Sequence, residues 1–385
     1  MSWKEESTMS LRAEFLQLVS LPDANISQLA RRFAISRKTA YKWINRARAG
    51  TPLTDLSRKP HASPRQTPQP LELRILQLRD QYPAWGARKI LALLQRETPH
   101  QILPVPSTIT AILRRHQRLD GPKAGQDRDW QRFEHPHPND LWQMDFKGHF
   151  ALTNSHRCHP LSVLDDHSRF ALGLVACGDE RTETVQAALR TIFTLQGLPR
   201  HMLMDNGSPW GDEGGQPHTR LTVWLMKLGV GVSHGRPYHP QTQGKDERFH
   251  RTLQRELLAG VTFTSLEDCE QRFAAWRTIY NTIRPHEALG MSTPASRYRC
   301  SPRSYVEDPP EFEYGLGWQV RVVNPGGWLS VGGQRYRISK AFAGESLGIC
   351  EREDADEPGR EAWFGPHRLG VLCPTRQMLV RQPRQ

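Results

Sequence analysis

Hydrophobic residues near the start of the chain recur at helical spacing. One buried helical face is predicted by four apolar residues at i, i+3, i+4 and i+7: Ile26, Leu29, Ala30 and Phe33. A short turn follows, and Ser36 is a suitable N-cap for a second helix from Arg37 to about Ala49. The pattern therefore predicts two helices joined by a tight turn within residues 1–50.

The second of these helices has an apolar side and a basic side. Ala40, Trp43 and Ile44 are expected to pack inward. The outer face is then left to polar and basic residues: Arg37, Lys38, Tyr41, Lys42 and Asn45. This arrangement is typical of a helix-turn-helix domain, whose second helix enters the major groove of DNA. The alternative is an ordinary helical hairpin with a solvated basic face, and we favour DNA binding.

A second helical unit is predicted over residues 71–118, after a proline-rich linker at 51–70. Its helices are expected at 71–81, 87–95 and 108–116, with Ser107 capping the last one. Because that last helix ends in Arg114 and Arg115, it is a candidate for a second DNA-recognition helix. The polar segment 119–137 is predicted to link this unit to the rest of the chain.

From residue 139 the pattern changes to short strands. Strands are predicted at 142–150, 160–164, 170–176, 200–205 and 230–233, and helices at 182–195, 219–228 and 245–258. Hairpin-linked strands followed by alternating helices and strands indicate a mixed α/β sheet over 138–300. Acids at strand ends and at a helix start can converge on one edge of such a sheet.

The pattern after the sheet predicts one long helix and then a small β domain. The helix is expected at 266–282, with its aromatic stripe packed in the core, and a linker at 302–310. Short strands and glycine turns over 310–385 predict a small antiparallel barrel. Arg321, Arg335 and Arg337 could form a basic face on it, for DNA or subunit contact, and a solvated face remains an equal alternative.

Composition adds an uneven charge distribution. The chain has 385 residues, too many for one ordinary core, and a net charge of +12. Residues 1–137 hold 23 Lys and Arg against 12 Asp and Glu, a balance of +11, which leaves +1 for residues 138–385. The basic excess therefore belongs to the N-terminal third, as expected of an arm that binds a polyanion.

The cysteines and the hydropathy favour a cytosolic protein over a secreted or membrane-spanning one. No secretory signal is visible and no apolar run approaches the roughly 20 residues that span a bilayer. The six cysteines form no CxxC pair, which favours reduced thiols in a cytosol. The cluster His156 to His159 lacks a second ligand pair, so we expect a loop between strands rather than zinc.

Three carboxylates are the candidate catalytic groups. Asp145 lies within a predicted strand, Asp205 closes an apolar run, and Glu247 stands at the start of a predicted helix. In phosphodiester chemistry, two Mg²⁺ ions roughly 3.5–4 Å apart can activate the attacking oxygen and stabilise the leaving oxygen. Magnesium prefers hard oxygen ligands such as carboxylates. Three converging acids in a basic chain therefore predict a metal-dependent enzyme acting on nucleic acid.

The helix carrying Glu247 is amphipathic. Its predicted buried stripe is Phe249, Leu253 and Leu257, which leaves Glu247, His250, Arg251 and Gln254 on another face. Lys245 and Arg251 are candidates for contacts with DNA phosphates. A solvated helix with a Glu247–Arg251 pair is the alternative, and from this helix alone it would be preferred.

Several long motifs in this region resemble one family. They are Trp142-Gln143-Met144-Asp145-Phe146, Asp165-Asp166-His167-Ser168-Arg169-Phe170, Asp205-Asn206-Gly207, Pro237 to Leu253 and Tyr280 to Gly290. In this order they resemble the integrase-core DDE transposases of bacterial insertion sequences, relatives of retroviral integrases. The resemblance covers about residues 138–300, and the paired helical units before it fit the usual layout of that family.

The resemblance implies a fold and a site. The expected fold class is multidomain α plus α/β: a helix-turn-helix arm, a ribonuclease-H-like mixed-sheet core and a small C-terminal β-barrel-like domain. Asp145, Asp205 and Glu247 are implied as the catalytic, metal-binding triad. Asp165 and Asp166 are expected to cap a hairpin turn, and Asp246 is left out because it points about 100° away from Glu247 around the helix.

One departure from the family concerns spacing. Asp205 and Glu247 have 41 residues between them, more than in retroviral integrases. The excess fits a Gly-rich loop at 208–216, predicted to be a mobile insertion beside the site. A retroviral-type zinc-binding N-terminal domain is absent from the pattern.

The resemblance also implies an activity. The expected protein binds terminal inverted repeats, cleaves at the element ends and joins the 3′-OH to target DNA, as a homo-oligomer on DNA in the bacterial cytoplasm. Two Mg²⁺ ions, or Mn²⁺ in their place, are the expected cofactors. The rival functions are a sequence-specific regulator, which leaves the acids unexplained, and a ribonuclease-H-type nuclease, which uses only water as nucleophile.

Overall fold

The structure is a computed structural model, and it describes residues 7–55, 66–119, 134–211, 218–235, 244–351 and 359–380. Contacts divide the chain into two units, residues 1–67 and 68–385. Much of the predicted linkers at 51–70 and 119–137 lies outside the described residues.

The described residues of the first unit form three helices: α1 (Thr8–Val19), α2 (Ile26–Arg32) and α3 (Arg37–Arg48). The second and third were predicted, and the Ser36 hydroxyl accepts the backbone N–H of Thr39 at 3.1 Å, as an N-cap should. Helix α1 was not predicted, although its buried Phe15 belongs to the small core of this unit. That core also holds the three α3 residues expected to face inward, so the predicted amphipathic pattern of α3 is confirmed.

The next three helices are α4 (Gln69–Gln81), α5 (Ala87–Glu97) and α6 (Pro106–Arg115). They pack around Ile75, Ile90 and Ile109, each fully buried. The prediction that Ser107 caps the last helix is wrong, because α6 already begins at Pro106 with Val105 at its N-cap. Proline suits that first position, since its missing N–H would have no intrahelical partner and its φ is fixed near the helical value.

A six-stranded mixed sheet forms the centre of the second unit. Its strands are β1 (Leu141–Phe146), β2 (Phe150–Ala151), β3 (Arg157–Asp165), β4 (Ala171–Cys177), β5 (His201–Met204) and β6 (Gly231–His234). The order is β2-β3-β1-β5-β6, and β4 also pairs with β3. β3 is antiparallel to β1 and β4, whereas β1, β5 and β6 are parallel. This is the ribonuclease-H-like mixed sheet that the sequence predicted.

Helices cover both faces of this sheet. They are α7 (Thr182–Gln196), α8 (Arg220–Lys227), α9 (Gly244–Leu253) and α10 (Leu266–Thr282), and α9 continues into a π-helical turn at Gln254–Leu258. Trp142 and Met144 of β1 face the core beneath α7 and α8. Phe249 of α9 and Phe273 of α10 belong to the core on the opposite face. Alternate residues of β1 therefore point to different helical layers.

One prediction about a loop fails in this sheet. Residues Arg157 to His159 belong to β3, not to a loop between strands, and Cys158 is fully buried beside Cys269. The alternation of β3 turns Cys158 inward toward α10, since successive side chains of a strand alternate between the faces. A helix long and apolar enough to cross a membrane is not found in the described part of the chain.

The second helical unit docks against the end of α10. The Arg96 guanidinium of α5 donates to the backbone carbonyl of Ile283 at 3.1 Å and to that of Met291. Ile279 and Ile283 pack against the apolar core of the helical unit. Lys89 of α5 lies near the charges of Arg284 and Glu256 in the same contact. This helical unit is therefore held on the domain that carries the central sheet.

A seven-stranded sheet forms the C-terminal domain. Its strands are β7 (Gln319–Val322), β8 (Trp328–Val331), β9 (Gln334–Arg337), β10 (Ser346–Glu351), β11 (Arg360–Phe364), β12 (His367–Cys373) and β13 (Met378–Val380). Their order is β7-β10-β11-β12-β13-β9-β8, a nearly closed, barrel-like sheet. The predicted barrel is confirmed, but it is not purely antiparallel, because β13 and β9 pair in parallel. The Lys227 ammonium of α8 pairs with Glu345 at 3.0 Å, which ties this domain to the core.

Candidate active site

Two of the predicted acids lie side by side at the carboxyl ends of two adjacent strands in the central sheet. Asp145 belongs to β1, and Asp205 follows the last residue of β5. The parallel register pairs Gln143 with Leu203, so two further residues along each strand bring Asp145 level with Asp205. The Asp205 carboxylate accepts the backbone N–H of Gly207 at 2.9 Å, which fixes it in the turn.

The environment of Asp145 makes its charge costly. Burial, and then the charge of Asp205, raise the pKa of Asp145 to about 7. Its side chain keeps 26% of its surface exposed, so an ion in solvent can reach it. Two adjoining carboxylates with hard oxygen atoms fit a divalent cation, which would remove their mutual repulsion.

A histidine from α9 lies against Asp145. The Nδ1 atom of His250 is 3.8 Å from Oδ2 of Asp145, too far for a hydrogen bond. Burial, and then the charge of Lys147, lower the pKa of His250 to about 4, so the ring is neutral at physiological pH. It is therefore not a counter-ion for Asp145.

Ser162 connects His250 to β1. Its hydroxyl donates to the backbone carbonyl of Asp145 at 3.1 Å and lies 2.8 Å from Nε2 of His250. The other ring nitrogen, Nδ1, is the atom that faces Asp145.

Glu247, the third predicted acid, is not brought to these two. Its side chain is 57% exposed, and its carboxylate lies 3.9 Å from the guanidinium of Arg251 one turn later. Within the described ranges, no three His, Cys, Asp or Glu side chains are grouped closely enough to hold a metal ion. The role of Glu247 therefore stays a prediction, and the exposed Glu247–Arg251 pair is the alternative that the sequence left open.

Asp246, the acid left out on sequence grounds, is the one that faces the sheet. It is 1% exposed, and its electrostatic neighbours are Asp145, Asp166 and Lys245. Burial, and then the charge of Asp145, raise the pKa of Asp246 well above its ordinary value. It shares the buried side of α9 with Phe249.

The two acids of the β3–β4 turn are fully occupied by protein donors. Asp165 accepts the backbone N–H groups of Asn139 and Ser168, each at 2.7 Å, so the prediction that it caps the turn is confirmed. Asp166 accepts the backbone N–H of His135 at 2.9 Å and the side-chain amide of Gln143 at 2.7 Å. It also pairs with the Lys245 ammonium of α9. The prediction that Asp166 caps the same turn is wrong, because its partners lie outside the turn; Asp166 instead joins β1, the end of β3 and the first turn of α9.

The candidate DNA-contact residues differ in their solvent exposure. All four on α3 are exposed: Arg37, Lys38, Tyr41 and Lys42. On α6, Arg114 is exposed and Arg115 pairs with Glu72 at 2.6 Å while 52% of its side chain stays exposed. Arg251 is exposed, but the Lys245 side chain is 20% exposed and its ammonium is paired with Asp166. Lys245 is therefore poorly placed to meet a phosphate.

The sequence missed Asp246 as a buried acid, and its placement of His250 on the exposed face of Glu247 is wrong, because His250 lies against Asp145. A signal for both was present, because Asp246 and His250 are four residues apart and share one side of a helix. The predicted loop at 208–216 is described only to Gly211, where buried Trp210 stacks on Phe146 at 5.4 Å. The rest of that loop, and residues 237–243 of the family motif, lie outside the described residues.

Family models match most of the chain in segments. Two models described as an integrase core domain match residues 135–240 and 228–294. A helix-turn-helix domain matches 11–61 and a homeodomain-like domain matches 39–113. The C-terminal domain of IS481-family transposases matches 318–377.

Two of the relatives are proteins of bacterial insertion elements. An uncharacterised 31.7 kDa protein of insertion element IS407 from Burkholderia multivorans is 26% identical over 66% of this chain and 88% of its own. An uncharacterised 39.2 kDa protein of element IS476 from Xanthomonas euvesicatoria is 26% identical over 71% of this chain and 85% of its own. Among solved structures, the HTLV-2 integrase catalytic core domain in complex with magnesium is 16% identical, with a TM-score of 0.33 over 43% of this chain and 99% of that one.

Proposed function

This chain is a DDE transposase of the retroviral-integrase superfamily, and from that premise we propose that it moves an insertion sequence by DNA cleavage and strand transfer. It binds the terminal inverted repeats, cleaves at the element ends and joins the resulting 3′-OH to target DNA. The observation that carries this proposal is the pairing of Asp145 and Asp205 at the ends of adjacent parallel strands.

The proposed metal ligands are Asp145, Asp205 and Glu247. When bound there, two Mg²⁺ ions, or Mn²⁺ in their place, would activate the attacking oxygen and stabilise the leaving oxygen. Asp145 needs such a partner, because its charge is otherwise opposed by burial and by Asp205. Glu247 would have to approach the two aspartates from the exposed side of α9.

Protein groups around the acids keep them in place without neutralising them. The Ser162 hydroxyl holds the Asp145 carbonyl, and the Gly207 N–H holds the Asp205 carboxylate. His250 contributes no positive charge, because burial keeps its imidazole neutral. His250 therefore does not compete with a cation for Asp145.

The proposed reaction consists of two substitutions at phosphorus. Water first attacks the phosphodiester at the element end, so that one P–O bond forms and one breaks, and a DNA 3′-OH is released. That 3′-OH then attacks a phosphodiester of the target, forming the new joint and displacing a target 3′-oxygen. Each step exchanges one P–O bond for another, so neither an external energy source nor a covalent protein–DNA intermediate is required.

The DNA-binding roles are assigned to the two helical units. The exposed residues of α3 would contact the major groove, and Arg114 and Arg115 of α6 would contact a second part of the same repeat. We propose a homo-oligomer that holds two element ends. Its location would be the bacterial cytoplasm, associated with the nucleoid when the protein is on DNA.

The test is a strand-transfer assay. Wild-type protein is incubated with Mg²⁺, labelled terminal-repeat DNA and a target plasmid, and the joined products are separated on a gel. Joined products are expected for the wild type and none for Asp205→Asn. Asp308→Asn, the same change at an exposed acid to which no role is assigned, serves as the matched control for handling and folding.

Two outcomes would replace the proposal. Metal-dependent cleavage without joining would identify a nuclease, because only water would then act as nucleophile. Tight DNA binding without any metal-dependent chemistry would identify a regulator.

A further inference from the structure

Asp246 is a buried carboxyl group without a hydrogen-bond partner in the described part of the chain. It is 1% exposed, and neither of its oxygen atoms has a hydrogen-bond donor among the described residues. An ionised carboxylate buried in this way is strongly unfavourable, and a neutral carboxyl would still lack an acceptor for its proton. Neither protonation state is satisfied by the described protein alone.

The charges around Asp246 do not supply the missing partner. Its electrostatic neighbours are Asp145 and Asp166, which repel it, and Lys245, which attracts it. Lys245, however, is paired with Asp166, and Asp166 already accepts two further hydrogen bonds. Acidic neighbours therefore predominate around Asp246, and Lys245, the cation among its described electrostatic neighbours, is already paired.

The position of Asp246 is fixed by the contacts of α9. The Lys245–Asp166 ion pair holds the first turn of the helix, and Phe249 anchors the next turn in the core. His250, one turn after Asp246, lies 3.8 Å from the Asp145 carboxylate. Asp246 therefore faces the sheet on the same side as the residue that touches Asp145, whereas Glu247 is turned outward.

We propose that Asp246 is a further metal ligand, which shares a divalent cation with Asp145. Magnesium needs only one or two protein carboxylates, and water and substrate phosphate complete its shell. Asp145 and Asp246 supply two from β1 and α9. This inference rests on the proposed metal-dependent function and deepens it, because it assigns the buried acid of α9 beside the predicted Glu247.

The experiment measures metal binding without DNA. The full-length protein is titrated with Mn²⁺, and free Mn²⁺ is followed by its electron paramagnetic resonance signal. The variants are Asp246→Asn, Asp145→Asn as the positive control, and Asp268→Asn, an acid in the first turn of α10 and remote from the site, as the matched control. We expect Asp246→Asn to raise the dissociation constant for Mn²⁺ by about tenfold or more, and Asp268→Asn to leave it unchanged.

Thermal unfolding separates a ligand from a structural residue. A ligand role predicts that Asp246→Asn melts at the same or a higher temperature than the wild type without metal, because an unsatisfied charge is removed. It also predicts a smaller rise in melting temperature on adding Mn²⁺. A loss of metal-free stability in Asp246→Asn would assign it a structural role and overturn the inference.

The remaining outcomes are distinguishable. If Asp145→Asn weakens Mn²⁺ binding and Asp246→Asn does not, the inference is wrong and the proposed function stands. If neither variant changes Mn²⁺ binding, the metal-dependent function itself is refuted.

Discussion

The ion pair between Asp166 and Lys245 is expected to be a large local stabiliser of the site. The Asp166 side chain is 1% exposed and that of Lys245 is 20% exposed, so both charges are largely removed from water. Removing one partner of a buried pair costs about 3–5 kcal/mol, because the other charge is left uncompensated. Asp166→Asn and Lys245→Met should each loosen the first turn of α9 by about 3 kcal/mol.

Native-state hydrogen exchange of the α9 amides measures this directly. A loss of about 3 kcal/mol corresponds to more than a hundredfold faster exchange at these amides, since each tenfold step is about 1.4 kcal/mol. The double variant Asp166→Asn/Lys245→Met should lose little more than one single variant, because no unpaired charge remains. The double-mutant cycle should therefore give a coupling of about 2–3 kcal/mol.

An exposed pair provides the control. Arg74 and Glu97 are 2.6 Å apart, but their side chains are 41% and 37% exposed. The same cycle on this pair should give a coupling below about 1 kcal/mol. If the losses at Asp166 and Lys245 simply add, the two charges do not stabilise each other and this explanation of the α9 position is refuted.

Three further outcomes are expected. Burial, and then a neighbouring arginine charge, lower the pKa of Lys89 to about 8, so the folded protein binds fewer protons than the unfolded chain between pH 8 and about 10.5. Thermal melts should therefore show the stability of the wild type rising relative to that of Lys89→Met across that window; a constant difference between the two proteins would contradict the shift. Exposed Cys300 should react with a thiol reagent in the native protein, whereas buried Cys158, whose pKa burial raises, should react only after unfolding. Gly197 has φ +75°, and an added Cβ would lie 2.6 Å from a backbone oxygen, so Gly197→Ala should cost more than about 1 kcal/mol in a denaturant titration, with Gly86→Ala, where nothing lies within 4 Å, as the control.

The elements around the site could be predicted because local patterns specify them. Helix α10 was predicted with its observed bounds, since Ser265 caps its start and Phe273, Trp276 and Tyr280 repeat at helical spacing along one side. Asp165 was separated from the candidate ligands because acids in tight turns commonly accept backbone N–H groups. Both conclusions depend on residues close together in the chain.

The orientation of α9 could not be predicted in the same way. The sequence places acids at both 246 and 247, and the more exposed one was chosen for the site. Which acid faces the sheet depends on Lys245 meeting Asp166, a contact between residues 79 positions apart. No local periodicity carries that information. The neutral state of His250 has the same origin, because it follows from burial against β1 and β3.

The docking of the second helical unit on α10 fixes the distance between that unit and the acids of the central sheet. The Arg96 guanidinium donates to the backbone carbonyl of Ile283 at the end of α10, and α10 itself packs on the sheet that carries Asp145. On the proposed function, DNA held by α6 would meet the acids at a set number of base pairs from its recognition sequence. Added base pairs would then move the cut relative to the end of the element rather than weaken binding, and the position of the cut would be a property of the protein.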